Sequence, residues 1–223
     1  MNKKTNLKFK LTINKYRDKI VKQLISIYKT KIWIRKLAIF LGISFLVFLS
    51  SFLIRDAILQ KTSAYGSFIP GFIDIKVVGN NGVAFSAFEN ASVSFVYFIQ
   101  ILPIVISMFF LVFTKSAWFD VGFSMIITGG MSNVIDRSIV DVYTHNIVPT
   151  EQTINAVVDY FSFSFISGSA IFNMPDVYVV AGVIIVLIKL IVQTIIDYLH
   201  YDKENSENKT YENNKEKIIE ERR

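Results

Sequence analysis

VYVVAGVIIVLIKLIVQTII, residues 177–196, is an almost unbroken apolar run. Crossing a hydrocarbon core of ~30 Å as a helix takes about 20 residues, and this run supplies them. A backbone exposed to lipid must satisfy its own hydrogen bonds, which favours a helix here. Three similar runs precede it: residues 37–54, LAIFLGISFLVFLSSFLI, with a continuation to Leu59; residues 91–113; and residues 117 to about 135. The first of these is too long for the apolar part of a signal peptide. It also begins too far into the chain and lacks a small-residue cleavage site, so it reads as a retained span.

Composition agrees. Apolar residues make up 52% of the 223 positions, above the roughly 45–50% of soluble domains. Cysteine is absent, which excludes disulfides, thiolate metal sites and a cysteine nucleophile. With two histidines, His145 and His200, a His-rich metal site is excluded too. Acid–base chemistry then falls to carboxylates, Lys or Tyr.

Charge sets the orientation. Of the 24 basic residues, 12 precede Leu37, and a second group lies between Lys203 and Arg223. Basic ends can bind nucleic acid. Flanking membrane spans, they read instead as the loop charge that stays inside, with attraction to anionic membrane lipid as an accessory effect. Both termini are then cytoplasmic and the number of spans is even. Lys115, between the second and third runs, is inside as well. The outer connections run from about Gln60 to Asn90 and from about Arg137 to Asp176.

The expected fold is an all-α membrane protein with four transmembrane helices, a small β-containing subdomain on the outer face and an outer-face loop-helix segment. Residues 1–36 form a basic cytoplasmic arm, 37–199 the four-span domain and 200–223 a charged cytoplasmic tail. Apolar residues around Pro70-Gly71 predict short strands in the first outer connection. Val157–Phe165 alternates with period two, a further strand signal. The arm spaces Leu11, Tyr16, Ile20, Leu24, Ile27 and Tyr28 as an amphipathic surface helix would. The tail after Asp202, rich in Glu, Lys and Asn, reads as a solvated disordered extension.

Polar residues gather where the third and fourth runs meet the outer face. Asp136 and Arg137 end the third run, Asp159 lies in the second outer connection, and Asn173 and Asp176 open the fourth. Antiparallel helices bring these ends together. Charge near lipid costs roughly 2.5–3.5 kcal/mol on insertion scales, so such groups need partners or a function. Asp136 beside Arg137 suits a structural ion pair, and Asp176 alone suits a helix cap. Asp159, flanked by Val158 and Tyr160, has no such structural purpose. With Asp176 it suggests two carboxyls sharing a proton, one activating water and the other protonating a carbonyl. Gly129 and Gly130 permit close helix packing, and Asn133 either fixes a carboxylate or holds substrate backbone.

Four pieces in order carry a resemblance. Asn80-Asn81-Gly82-Val83-Ala84-Phe85-Ser86 is similar to Asn-x-Gly-x-Ala-Phe-Ser of the signal peptidase II (lipoprotein signal peptidase) family. The stretch from Gly129 to Arg137, GGMSNVIDR, is similar to its Gly-Gly-x-x-x-Asn-x-x-Asp-Arg. Val157-Val158-Asp159-Tyr160 resembles Val-Val-Asp-Phe, and Phe172-Asn173-Met174-Pro175-Asp176 resembles Phe-Asn-x-Ala-Asp.

The resemblance covers about Leu37 to Ile196. It implies an aspartyl endopeptidase in a bacterial cell membrane, with its site at the outer face. Its partner would be a lipid-modified prolipoprotein, cut just before the lipidated cysteine, and the enzyme is expected to be a monomer. Asp159 and Asp176 would be catalytic, with no metal and no cofactor. Asn80, Gly82, Asn133, Arg137 and Asn173 would bind substrate or order the site, and Asp136 would pair with Arg137. Three features depart from the pattern. The family's Asp-x-x-x-Lys at the end of the first span has only Asp56 and Lys61 to match it, five apart. Ser138 to about Asn155 reads as an insertion, and Pro175 replaces Ala. A four-span transporter or channel component is the alternative, and Lys189 is the residue that suits it, although snorkelling to the inner face explains Lys189 as well.

Overall fold

In the computed structural model, residues 12, 14–23, 25–26, 31–60, 65–82, 91–139 and 155–220 are described. Helix α1 spans Ile32–Leu59, followed by strands β1 (Tyr65–Ile69) and β2 (Ile73–Asn80). Helices α2 (Val93–Phe113) and α3 (Ala117–Ile139), strand β3 (Val157–Phe163) and helix α4 (Met174–Glu220) complete the order. The protein is mostly helical with one small antiparallel sheet.

Among the described residues, Ile32–Leu59, Val93–Phe113 and Met174–Lys203 are long and apolar enough to cross a membrane. Their apolar side chains point outward: Phe45 is 65% exposed, Phe109 59% and Ile191 59%. A water-soluble protein does not leave so continuous an apolar surface uncovered.

Helix α3 differs from the other three. Its polar residues, among them Asp120, Ser124, Thr128, Asn133, Asp136 and Arg137, are buried, because it packs against α1, α2 and α4. Backbone contact holds α3 to α4. A Cβ on Gly129 would lie 2.7 Å from the Pro175 carbonyl oxygen, and one on Gly182 would lie 2.6 Å from the Gly122 carbonyl oxygen. Small residues allow this approach where lipid gives helices no hydrophobic drive to associate.

At one end of the bundle the fully buried Asp120 accepts from Arg35 Nη2 and Lys36 Nζ, each at 2.9 Å. Arg35 also donates to the Lys115 carbonyl at 2.7 Å, which ties α1 to the α2–α3 connection. Sequence reading did not single out Asp120. Lys189 points toward this end: its Nζ donates to Gln193 at 2.9 Å, and Gln193 donates to Asp197 at 2.9 Å. Lys189 thus belongs to a chain of hydrogen bonds along the exposed side of α4.

The sheet sits at the other end, in the order β1-β2-β3. It turns at Pro70-Gly71, where Gly71 has φ 73°, a conformation that suits a residue without Cβ. Pairs Ile75–Phe161, Val78–Asp159 and Asn80–Val157 set the β2–β3 register. Ile75, Val77, Val158, Tyr160 and Phe161 pack with Ile58, so the sheet rests on the end of α1.

The expected strands are present in both connections. The tail differs from expectation: the backbone of α4 runs as one helix to Glu220. After Gly182 the chain has neither Gly nor Pro to stop it, and Glu and Lys are good helix formers. In the arm, residues 14–23 are helical, with Tyr16 and Ile20 exposed. Leu11, Leu24, Ile27 and Tyr28 lie outside the described residues. The outer loop-helix segment has no counterpart among the described residues, which exclude 83–90 and 140–154. Most of the Ser138–Asn155 insertion and of the Asn80–Ser86 motif therefore falls outside them.

Gly129→Ala should lower the unfolding free energy in mixed micelles by about 1–3 kcal/mol, the cost of overpacking a tight contact. Gly42→Ala, whose Cβ would meet nothing within 4 Å, should be neutral or stabilise by up to about 1 kcal/mol through helix propensity. Equal effects of the two would remove the role given to the α3–α4 contact.

Candidate active site

The acid on β3 and the acid that opens α4 converge on one asparagine. Asn173 precedes the first turn of α4, and its side-chain oxygen accepts from the Asp176 backbone N–H at 2.9 Å. The Asp176 carboxylate accepts in return from the Asn173 backbone N–H at 3.1 Å. This reciprocal cap satisfies two of the N–H groups that a helix start leaves orphaned. The amide nitrogen of Asn173 is left to face outward from the helix, and it donates to Asp159 Oδ1 at 2.9 Å. One residue therefore caps α4 and bonds both carboxyls, Asp159 through its side chain and Asp176 through its backbone N–H.

Two further asparagines complete the enclosure. Asn133 Nδ2 donates to Asp176 Oδ1 at 2.8 Å, and Asn133 Oδ1 accepts from Asn173 Nδ2 at 3.0 Å. The bare backbone at Gly129, one turn earlier, lets the start of α4 come this close. Asn80, at the end of β2, donates to Asp159 Oδ2 at 2.8 Å. Its own Oδ1 accepts from Gly82 N at 3.0 Å, a side-chain-closed turn.

Arg137 occupies a cage of acceptors. Its guanidinium donates to the carbonyls of Asn81 (3.0 Å), Gly82 (2.6 Å), Asn155 (2.5 Å) and Asn80 (3.4 Å), and to Gln100 Oε1 (3.2 Å). It is 3% exposed. A planar fork of five donors suits such a cage. Asn155, one of its partners, has φ 54°, a conformation that Asn tolerates better than most residues.

Asp136 does not pair with Arg137 as expected. Its carboxylate forms an ion pair with Arg55 of α1. Neighbouring residues on a helix point about 100° apart, so Arg137 turns to the loops and Asp136 turns to α1. Asp56 is also displaced from the expected site. It is exposed and accepts from Gln60 at 2.7 Å, outside the cluster of asparagines and acids. Arg55 faces inward in its place, one turn beyond Ser51. That four-residue spacing of two polar residues in an apolar run was the signal available in the sequence. Gln100 and Asn155 carried no comparable signal.

Burial pushes the Asp159 carboxyl up to about 8, with the Asp176 charge adding to the rise. Hydrogen bonds from Asn80 and Asn173 and the charge of Arg137 hold it lower than burial alone would. Burial raises the Asp176 carboxyl as well, so the pair holds a proton more readily than two separate carboxyls would. Tyr160, 1% exposed, accepts from the Met174 backbone N–H at 3.0 Å through its hydroxyl. Burial pushes its phenol above the usual range.

The model of the family described as signal peptidase (SPase) II matches residues 18–192, which include every residue of this cluster. This chain belongs to the signal peptidase II family. It is 47% identical over 191 residues to the lipoprotein signal peptidase of Malacoplasma penetrans (strain HF-2), covering 84% of this chain and 78% of that protein. It is 32% identical over 189 residues to the lipoprotein signal peptidase of Mycoplasmoides gallisepticum (strain R(low / passage 15 / clone 2)), covering 85% of this chain and 60% of that one. The fold is shared with a solved bacterial membrane enzyme at 2.3 Å resolution, with a TM-score of 0.54 and 23% identity over 71% of this chain and 88% of that chain. The motif resemblance and the membrane character read from the sequence both stand. Within this signal peptidase II chain, Asp159, Asp176, Asn80, Asn133 and Asn173 form one hydrogen-bonded cluster. Gly82 and Arg137 buttress it, Asp136 lies to one side with Arg55, and Asp56 is apart.

Arg137→Lys should cost about 2–4 kcal/mol of stability, because an ammonium cannot reach both sides of the cage and hydrogen bonds to a charged group are worth about 1.5–3 kcal/mol each. Denaturant titration in micelles reads this directly. A loss below about 0.5 kcal/mol would show that the cage is not needed for folding.

Proposed function

We propose that this chain is an aspartyl endopeptidase that removes signal peptides from lipid-modified prolipoproteins by cutting just before the lipidated cysteine. The observation that carries this reading is the joining of the Asp159 and Asp176 carboxyls through Asn173, in surroundings whose burial raises both. Two carboxyls with one proton between them can act at once as base and acid. Family membership and the names of the relatives support the substrate class.

The chemistry follows from the pairing. The ionised carboxyl takes a proton from water as the oxygen attacks the scissile carbonyl. The protonated one donates to the carbonyl oxygen, and collapse of the tetrahedral species passes a proton to the leaving amide nitrogen. Asn80, Asn133 and Asn173 hold the acids in register. No metal or cofactor has a step to perform.

Four spans best suit the arrangement, with α3 as the central one, shielded from lipid by the others. Asp120 and Asp136 lie sixteen residues apart in α3, about 24 Å along the helix, close to a hydrocarbon thickness. Arg35, Lys36 and Lys115 gather at the Asp120 end. Charge bias then puts that end and both termini in the cytoplasm, and the acids at the outer face of the bacterial membrane. The substrate's acyl chains would remain in the bilayer, which lowers the orientational cost of bringing the peptide to the acids. A monomer holds every residue that this mechanism uses, and nucleic acid has no part in it.

Asp159→Asn and Asp176→Asn should each reduce cleavage of a purified lipidated precursor by about 10²–10⁴-fold, the contribution usual for positioned acid–base groups. Both should still insert and elute as folded protein. Normal processing by either would remove the dyad from the mechanism.

The rate should also fall above about pH 8, where Asp159 loses its proton and no acid remains to protonate the carbonyl. Asn80→Ala removes a hydrogen bond that favours the ionised form, so it should shift this alkaline limb to higher pH. A limb unmoved or shifted downward in a pH–rate profile would contradict the assignment.

A further inference from the structure

We infer that a cavity between α1 and α3, beside the acids, receives an acyl ester of the substrate's lipid, and that Ser51 donates a hydrogen bond to its carbonyl. This rests on the peptidase reading and names the part of the substrate that one further residue reads.

The cavity holds about 220 Å³ and is lined by Phe48, Ser51, Phe52, Ser132 and Ile135, with Arg55–Asp136 on its wall and Asn173 on its floor. Asn173 is the residue that joins the two acids, so a group seated here lies a short covalent path from the bond to be cut. Phe48 is 39% exposed, Phe52 51% and Ile135 41% on the apolar exterior of the bundle. A ligand reaching the cavity past these residues comes sideways from lipid.

Ser51 is the unusual residue in this wall. Hydroxyls inside helices commonly fold back onto a carbonyl one turn earlier. Ser50, Ser124, Thr128, Ser138 and Thr194 all do so here. Ser51, 8% exposed, makes no hydrogen bond among the described residues, and its oxygen is buried. Leaving a buried hydroxyl unsatisfied costs about 1–3 kcal/mol. A partnerless hydroxyl on a residue that lines a cavity with an apolar mouth needs only a turn about its χ1 bond to meet a ligand that brings an acceptor at the end of a hydrocarbon chain.

Depth narrows the ligand further. Ser51 lies one turn from Arg55 toward the bundle middle, and Asp136 and Pro175 stand at the same level as the cavity. That level lies just inside the end of the bundle that holds the acids, where headgroups give way to hydrocarbon. The carbonyls of glyceryl esters occupy this zone. A thioether-linked diacylglyceryl on cysteine carries two of them, next to the scissile peptide.

The test compares two synthetic lipopeptide precursors, one with ester-linked chains and one with ether-linked chains of equal length. The ether version keeps the hydrocarbon and lacks the carbonyls. The wild-type enzyme should show a KM about fivefold lower for the ester precursor, the worth of one neutral hydrogen bond. In Ser51→Ala this preference should fall to near unity while kcat on the ester precursor holds. A wild-type enzyme without preference, or a preference unchanged in Ser51→Ala, overturns the proposal while leaving the peptidase reading intact. Failure of the wild type to cut either precursor overturns both.

Discussion

Two carboxyl groups enclosed together at the end of a helical bundle need donors on every side, and one asparagine meets half of that need. Asn173 caps α4, donates to Asp159 and touches Asn133. Without it, the start of α4 would lose a partner and Asp159 would lose a donor at the same time. Helix geometry and acid placement are therefore one constraint. Asparagine serves where lysine or arginine would not, since a neutral amide stabilises an ionised carboxyl without binding it as an ion pair. A proton can stay with the pair as a result.

The remaining elements hold the pieces around this point. The sheet exists to bring Asp159 and Asn80 over the helix ends, and it is anchored on α1 through Ile58. Arg137 closes the arrangement by gathering carbonyls from residues 80–82 and 155 onto α3. A buried cation matched by carbonyl dipoles in place of a carboxylate leaves Asp136 available to Arg55. At the far end, Asp120 between Arg35 and Lys36 performs the corresponding task for α1, α2 and α3.

The sequence made the helices legible because a helix facing lipid must be long and apolar: three of the runs lie inside helices, and the run at 91–113 begins two residues ahead of α2. Asp159 stood out because an acid within Val-Val-Asp-Tyr-Phe has few structural uses. What the sequence hid was direction around a helix. Asp136 and Arg137 are neighbours in the chain and look like a pair, yet they face different partners. Asp56 looked like the first helix's contribution, whereas Arg55, a hundred degrees round the same turn, faces inward. Asp120 was hidden for another reason: its cations lie more than eighty residues away in the chain. The tail misled through composition, since a polar Glu- and Lys-rich segment serves equally well as coil or as the prolongation of a helix already formed.

The glycine contact between α3 and α4 has a mechanical consequence. With backbone against backbone at Gly122, Gly129 and Gly182, these two helices are packed too closely to take up a side chain between them, and the contact holds them as one block. Helix α1 touches α4 much less extensively and bounds the cavity on its other side. A change in the width of that cavity would therefore fall to α1 more readily than to this block, and it would be felt through Ile58 by the strand that carries Asp159.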